Sequence, residues 1–141
     1  MQLAKLDDDG LASLVEAFYA RVRADEMLGP IFNDTIRDWP EHLHKLTDFW
    51  SSVMLTSGRY KGQPVPAHLK HKSRITPELF EHWLALWAET TNAMMDPEAA
   101  HALQKKAARI AQSLQLAMFF RIDGPMRQDA NTSAVESVNA R

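Results

Sequence analysis

Residues 59–73 interrupt an otherwise helical sequence with a connection that contains two prolines and one glycine. The stretch has no long hydrophobic period, so it predicts a loop with a short helix around residues 67–71. A bundle whose helices run simply up and down needs only short loops between them. A long connection in the middle of a 141-residue chain therefore predicts another helical architecture, in which something large fills the space beside the loop.

Four long helices are predicted around this connection. The first begins at Asp8 or Asp9, whose carboxylate can cap a helix, and ends before residues 28–30, which are Leu-Gly-Pro. The second begins at residues 38–40, since proline is tolerated in a first turn, and runs to Ser57 because the glycine that follows can end a helix.

The third helix begins at Thr76 and the fourth at Asp96, each followed by proline and glutamate, and the fourth ends near Gly124. Each helix carries apolar residues spaced three and four apart, which is typical of one buried face. The four faces consist of Leu11, Leu14, Val15, Phe18, Tyr19 and Val22; Leu46, Phe49, Trp50 and Val53; Phe80, Trp83, Leu84, Trp87 and Met94; and Leu103, Ala107, Ile110, Leu114 and Met118. No segment alternates as a strand, so we predict an all-α domain over residues 1–125 and a disordered polar tail over 126–141.

Composition excludes several classes of protein. The chain has no cysteine, which rules out disulfides, iron–sulfur clusters and thiolate-ligated haem. A formal net charge of −2 provides no basic field for phosphates, so nucleic acid is not an expected partner. No apolar run reaches the length of a membrane span and no leader sequence is evident, so we expect no membrane partner and a cytoplasmic location.

His68 is the candidate metal ligand. Without cysteine, histidine is the strongest soft-metal ligand available, and this one lies between two long amphipathic helices that carry aromatic residues. That arrangement is typical of a haem pocket. His71 lies about one turn later and is either a second ligand or a surface residue.

Among the other histidines, only His42 lies on an apolar helix face, four residues before Leu46. Tyr19 and Trp83 also lie on apolar faces, and a buried hydroxyl or indole N–H requires a hydrogen-bond partner. Bound dioxygen, with partial negative charge on its oxygen atoms, would supply an acceptor for these groups.

A di-iron site is the competing interpretation. Residues 41–44 and 98–101 both have the Glu-x-x-His spacing used in carboxylate-bridged helical bundles. However, His44 and His101 fall on the polar faces of their helices, and acidic first turns are expected from the helix dipole alone. Methionine could also serve as a second axial haem ligand, although the seven methionines are explained more simply as core residues.

The sequence resembles the truncated haemoglobins from about residue 10 to residue 122. The resemblance is carried by residues 18–25, by 28–32, by Phe49-Trp50, and by Tyr60-x-Gly62-x-Pro64 leading to His68-Leu69. The absence of Gly-Gly pairs at the helix junctions, together with His42 and Trp83, is most similar to the third group of that family.

The resemblance implies a two-over-two helical sandwich around a b-type haem, bound non-covalently because the chain has no cysteine. It implies that His68 is the proximal iron ligand and that Phe32 wedges against the porphyrin. Tyr19, His42 and Trp83 would be the distal polar residues. The remaining pocket residues would be Leu46, Phe49, Trp50 and Leu69.

The function implied is reversible binding of dioxygen and other small diatomic ligands, as in oxygen carriage. The alternative is a haem redox enzyme acting on nitric oxide or peroxide, because the same pocket would serve both. We expect binding to be the main role, with no dedicated catalytic residue and with nitric-oxide dioxygenase or peroxidase-like chemistry as a side activity. An electron-donating reductase is a further candidate partner.

Overall fold

The computed structural model describes residues 3–62, 64, 68 and 74–119. Within these ranges the chain forms helices and no named strand, as the sequence predicts. The described helices are α1 (Asp8–Ala24), α2 (Gly29–Thr35), α3 (Trp39–Leu55), α4 (Pro77–Met94) and α5 (Pro97–Phe119).

Side-chain caps define four of the helix starts, including that of α5, where Asp96 accepts a hydrogen bond from the Ala99 amide at 2.9 Å. Asp38 accepts a hydrogen bond from the Glu41 amide at 3.1 Å, and Thr76 accepts one from the Leu79 amide at 3.3 Å. Both helices begin where the sequence predicts. α1 is capped by Asp7 rather than by the two aspartates that follow it, because the extended backbone of Asp7 directs its carboxylate to the Gly10 amide at 2.7 Å.

Two helix boundaries differ from the prediction. α3 ends at Leu55 rather than at Ser57, because Thr56 adopts a left-handed conformation with φ of 55°. The short helix α2 is not predicted, because the Leu-Gly-Pro sequence at 28–30 indicates only the end of a helix. Pro30 instead lies in the first turn of α2, and a Cβ at Gly29 would lie 2.7 Å from the Arg23 carbonyl oxygen.

Two helix pairs form the architecture. α1 packs against α3, α4 packs against α5, and contacts between α1 and α4 join the pairs, with α2 against α1. Hydrogen bonds from the Ala4 amide to Met94 (2.8 Å) and from the Asp96 amide to Ala4 (2.9 Å) fasten the N-terminal segment beside the α4–α5 junction. The two-over-two arrangement that was expected is therefore the one observed.

The core follows the predicted stripes of α1 and α5 closely, whereas those of α3 and α4 are buried only in part. All six predicted residues of α1 are buried, and on α5 every predicted residue is buried except Ile110, which is partly buried. In the described part of the chain, no helix is long and apolar enough to cross a membrane. The predicted end of the last helix near Gly124 and the predicted tail 126–141 lie outside the described residues.

Candidate functional site

Tyr19 is the central polar residue of the site. The apolar stripe of α1 carries it inward, and only 4% of the residue remains exposed. Its ring lies 5.8 Å from Phe32, 6.3 Å from Trp39 and 6.3 Å from His42, measured between centroids. Burial raises the pKa of the Tyr19 hydroxyl far above its ordinary value, so the group keeps its proton at all physiological pH values.

Trp83 supplies the polar partner of Tyr19. It lies on α4, is partly buried and meets Phe18 edge to face at 5.0 Å. Its indole N–H, which can only donate, is close enough to the Tyr19 hydroxyl to offset part of the rise in pKa that burial causes. Two donors from two different helices therefore meet in an apolar interior.

His42 lies on α3 next to this pair. Its ring is perpendicular to the rings of Tyr19 and Trp39, at 6.3 and 5.7 Å. Desolvation by burial lowers the pKa of His42, and the positive charge of Lys45 lowers it further. His42 is therefore neutral at pH 7 and can present one N–H donor and one acceptor nitrogen.

The apolar wall of the site is formed by α3 and α2. Leu46 and Phe49 share the inner face of α3 with His42 and are only partly buried, as is Phe32 on α2. Trp50 lies deeper: it is 3% exposed and stacks on Trp87. These side chains present a broad apolar surface interrupted by few polar groups, which is the usual character of a cofactor pocket.

His68 is held in one tautomer by its own backbone. Pro64 and His68 both have helical geometry, and the Nδ1 atom of His68 lies 2.7 Å from the Pro64 carbonyl oxygen. A carbonyl only accepts, so Nδ1 carries the proton and Nε2 carries the lone pair. Metal-binding histidines are commonly oriented by such a bond. The His68 ring also lies 6.5 Å from Phe80 at an interplanar angle of 27°.

Several predicted residues fall elsewhere. Leu69 and His71 lie outside the described residues. His44 and His101 are exposed, as their helix positions predict. Within the described ranges no group of three or more His, Asp or Glu residues could hold a metal ion, which gives no support to a di-iron site.

Sequence reasoning missed the pair formed by His82 and Asp25. The Nε2 atom of His82 lies 2.7 Å from Asp25 Oδ2, while Oδ1 of the same carboxylate accepts from the amides of Met27 and Leu28 at 2.8 and 2.9 Å. The pair ties α4 to the turn that leads into α2. Burial opposes ionisation of Asp25, but its hydrogen bonds outweigh that effect and the pKa is lowered. His82 precedes Trp83, the one local signal that it lies near the site.

No family model matches the chain. A group 3 truncated haemoglobin from Campylobacter jejuni is 36% identical over 119 residues, which is 82% of this chain and 93% of that protein. The crystal structure of group III truncated haemoglobin from Campylobacter jejuni superposes with a TM-score of 0.76 at 34% identity, covering 88% of this chain and all of the other. Since both the sequence and the fold agree over most of the chain, the protein belongs to the truncated haemoglobin family and is similar to its third group.

Proposed function

We propose that this protein binds dioxygen and other small diatomic ligands reversibly at a haem iron held by His68. The observation that carries the proposal is the Tyr19–Trp83 pair, which places an O–H and an N–H donor together in an apolar pocket beside His42. Membership of the truncated haemoglobin family implies haem, and the absence of cysteine excludes attachment through thioether bonds, so we propose b-type haem.

The residues present fit a haem. His68 offers a neutral imidazole whose Nδ1 proton is donated to Pro64, which directs the ligating lone pair to Nε2. The partly buried faces of Leu46, Phe49 and Phe32 offer apolar surface for a flat ring system. The nitrogen donor of His68 and the apolar side chains around it would therefore suit a haem.

Haem held by His68 would supply an iron that binds small diatomic ligands. The protein itself would supply hydrogen-bond donors close to the atoms on which the bound ligand acquires negative charge. The hydroxyl of Tyr19 keeps its proton because burial raises its pKa, so it remains a donor. Trp83 is a donor at every pH, and His42 adds a third polar group that is neutral at pH 7.

Absorption spectra of the purified protein in the ferric, ferrous and carbon monoxide forms test the proposal. We expect an intense Soret band in all three, shifted on reduction and on addition of carbon monoxide. Absence of a Soret band after reconstitution with haem would refute the haem-binding proposal.

The lifetime of the oxygenated protein distinguishes reversible oxygen binding from a redox enzyme. We expect that form to persist for minutes in the absence of other reactants. Rapid loss of the oxygenated spectrum on addition of nitric oxide, or rapid turnover of peroxide with an electron donor, would instead favour the redox enzyme. Stopped-flow absorption in the visible region distinguishes the two outcomes.

A further inference from the structure

The short helix α2 buries little of its own surface. Of its seven residues only Gly29 is buried, and no side chain caps its start, where the preceding Leu28 already has helical backbone angles. By comparison, α1 has seven buried residues among seventeen. The position of α2 therefore depends on the turn of residues 25–28 that leads into it and on polar contacts, more than on an apolar face of its own.

Asp25 organises this turn with both its side chain and its main chain. The Oδ1 atom accepts hydrogen bonds from the amides of Met27 and Leu28, at 2.8 and 2.9 Å. The Asp25 carbonyl oxygen accepts a third from the Gly29 amide at 2.9 Å. Leu28 is only 3% exposed, so these bonds hold the chain at a point where it enters the core.

His82 of α4 holds the other oxygen of the same carboxylate. Its Nε2 atom lies 2.7 Å from Asp25 Oδ2, and because an ionised carboxylate only accepts, Nε2 carries the proton. Since Oδ1 is bonded to the turn and Oδ2 to His82, the carboxylate cannot rotate without losing a hydrogen bond. Among the described residues, this is the only side-chain hydrogen bond between the turn 25–28 and α4.

The His82–Asp25 pair is better shielded from water than the ion pair at the other end of α2. Its side chains are 35% and 17% exposed. Arg74 and Asp34 also form an ion pair, at 3.1 Å, but their side chains are 41% and 66% exposed. Exposed ion pairs contribute little to stability, because water and salt screen them. The start of α2 is therefore held more firmly than its end.

The two elements that this pair joins lie on either side of Tyr19. On α2, the Phe32 amide donates to the Leu28 carbonyl oxygen at 3.1 Å, so Phe32 follows the turn by one helical step. The Phe32 ring lies 5.8 Å from the Tyr19 ring, tilted by 57°. On α4, Trp83 directly follows His82, and its indole N–H lies close to the Tyr19 hydroxyl. A change in the spacing between the turn and α4 therefore changes what surrounds Tyr19.

We propose that His82 is a positioning residue of the pocket: through Asp25 it sets where α2 lies, and thereby how closely Phe32 confines the Tyr19 hydroxyl beside a bound ligand. His82 itself touches no ligand. Without the pair the turn is free to shift, Phe32 confines Tyr19 less closely, and the hydroxyl takes orientations that do not face the ligand. The effect on ligand release rests on the proposed function, whereas the effect on α2 does not.

The first experiment measures oxygen release from the haem-loaded protein by stopped flow. His82→Leu removes the donor and should speed oxygen dissociation by about threefold to tenfold. His82→Gln should restore a rate close to that of the unmodified protein, because its amide nitrogen can take the place of Nε2 and donate to Asp25. His44→Leu is the matched control, since His44 is 78% exposed. An unchanged rate in His82→Leu, or an equal increase in both His82 variants, would overturn the role of His82.

The same protein distinguishes positioning from general loosening of the fold. If His82 acts through Tyr19, adding His82→Leu to Tyr19→Phe should change oxygen dissociation by less than about twofold. The infrared C–O stretching band of the carbon monoxide complex should broaden or split in His82→Leu, because the hydroxyl beside the ligand takes several orientations. Fully multiplied effects in the double variant, or an unchanged stretching band, would contradict the proposal.

A second experiment needs no haem. Hydrogen exchange followed by nuclear magnetic resonance reports directly on the Leu28 and Phe32 amides, which are bonded at the start of α2. In His82→Leu the protection of both amides should fall by about tenfold, while that of Leu103 on α5 stays the same. Unchanged protection at Leu28 and Phe32 would overturn the proposal. A protein that binds no haem yet loses this protection would refute the proposed function and still support the control of α2 by His82.

Discussion

The inner faces of α5 and α3 have the same apolar spacing but very different burial. On α5, Leu103, Ala107, Leu114 and Met118 are between 0% and 5% exposed. Ile110 is the one residue of that face that is only partly buried. On α3 the balance is reversed, because His42, Leu46, Phe49 and Val53 are only partly buried and Trp50 alone is buried. α5 packs along α4 and α3 packs against α1, yet Leu46, Phe49 and Val53 of α3 stay partly exposed.

The difference shows what a hydrophobic period can and cannot indicate. Spacing of three and four identifies the face that avoids water, but it does not identify what covers that face. A helix that packs on a helix buries its stripe almost completely. A stripe that is apolar yet partly buried, and that includes a neutral histidine beside a hydroxyl and an indole donor, has the character expected of a ligand-binding wall.

The largest effect is expected from removal of the proposed iron ligand. His68→Ala should abolish stable retention of haem, because it removes the bond from Nε2 to iron and leaves only packing contacts. Transfer of haem to apomyoglobin, followed by absorption, measures the loss. His44→Ala is the control, since that side chain is 78% exposed on the outer side of α3. Equal retention in the two variants would contradict the assignment of His68.

Two leucine variants test the contrast between the helix faces directly. Leu103→Ala should lower the free energy of unfolding by about 2–5 kcal/mol, the range for a fully buried leucine. Leu46→Ala should cost less in the haem-free protein, because Leu46 is only partly buried there. Urea denaturation monitored by circular dichroism gives both values. Haem binding should increase the loss in free energy of unfolding caused by Leu46→Ala and leave the loss caused by Leu103→Ala nearly unchanged. Equal losses in the haem-free protein would contradict the difference in burial between the α3 and α5 faces.

The distal donors should control the release of oxygen. A hydrogen bond to a partly charged acceptor contributes about 1.5–3 kcal/mol, so Tyr19→Phe and Trp83→Phe should each speed oxygen dissociation by about tenfold to a hundredfold. Bound carbon monoxide is less polar, so its dissociation should change much less. Stopped-flow measurement of both ligands separates lost hydrogen bonds from a loosened pocket. Unchanged oxygen release in both variants would remove these residues from the site.

The smallest expected effect is on the pH dependence of stability, and it comes from His42 on α3. Folding lowers the pKa of His42 below its ordinary value of 6.5, so the unfolded chain takes up a proton more readily than the folded one. Stability from this residue is complete above about pH 6.5 and is lost as the pH falls from there toward the folded pKa. His42→Gln should therefore show a smaller drop in melting temperature between about pH 7.5 and pH 5.5.

The exposed histidine of the same helix is the control for this pH dependence. His44→Gln should follow the curve of the unmodified protein, because His44 lies on the solvated side of α3. Parallel curves for all three proteins would show that His42 is not protected from protonation by the fold.

The starts of α3 and α4 can be predicted from the sequence because capping is local. Thr76 and Asp38 bond to amides three residues ahead, and so the relevant atoms are set by a single turn. The short helix α2 was missed because a Gly-Pro pair is both a stop and a start signal. The beginning of α2 depends on Asp25, whose carboxylate accepts a hydrogen bond from the Leu28 amide. That carboxylate also pairs with His82, which lies 57 residues away in the sequence.

The sequence by itself determined the helical class, the buried stripes of α1 and α5 and the resemblance to truncated haemoglobins, and it supplied the prediction that His68 is the iron ligand. Each of these depends on residues within a few turns of one another or on a motif in order along the chain. Only the tertiary structure decided that Trp83 lies near the Tyr19 hydroxyl, that Trp50 stacks on Trp87 and that His82 pairs with Asp25. These contacts join different helices, and their geometry depends on how helices cross and how deeply each face is buried. Periodicity specifies the direction of a side chain but not the neighbour that it meets.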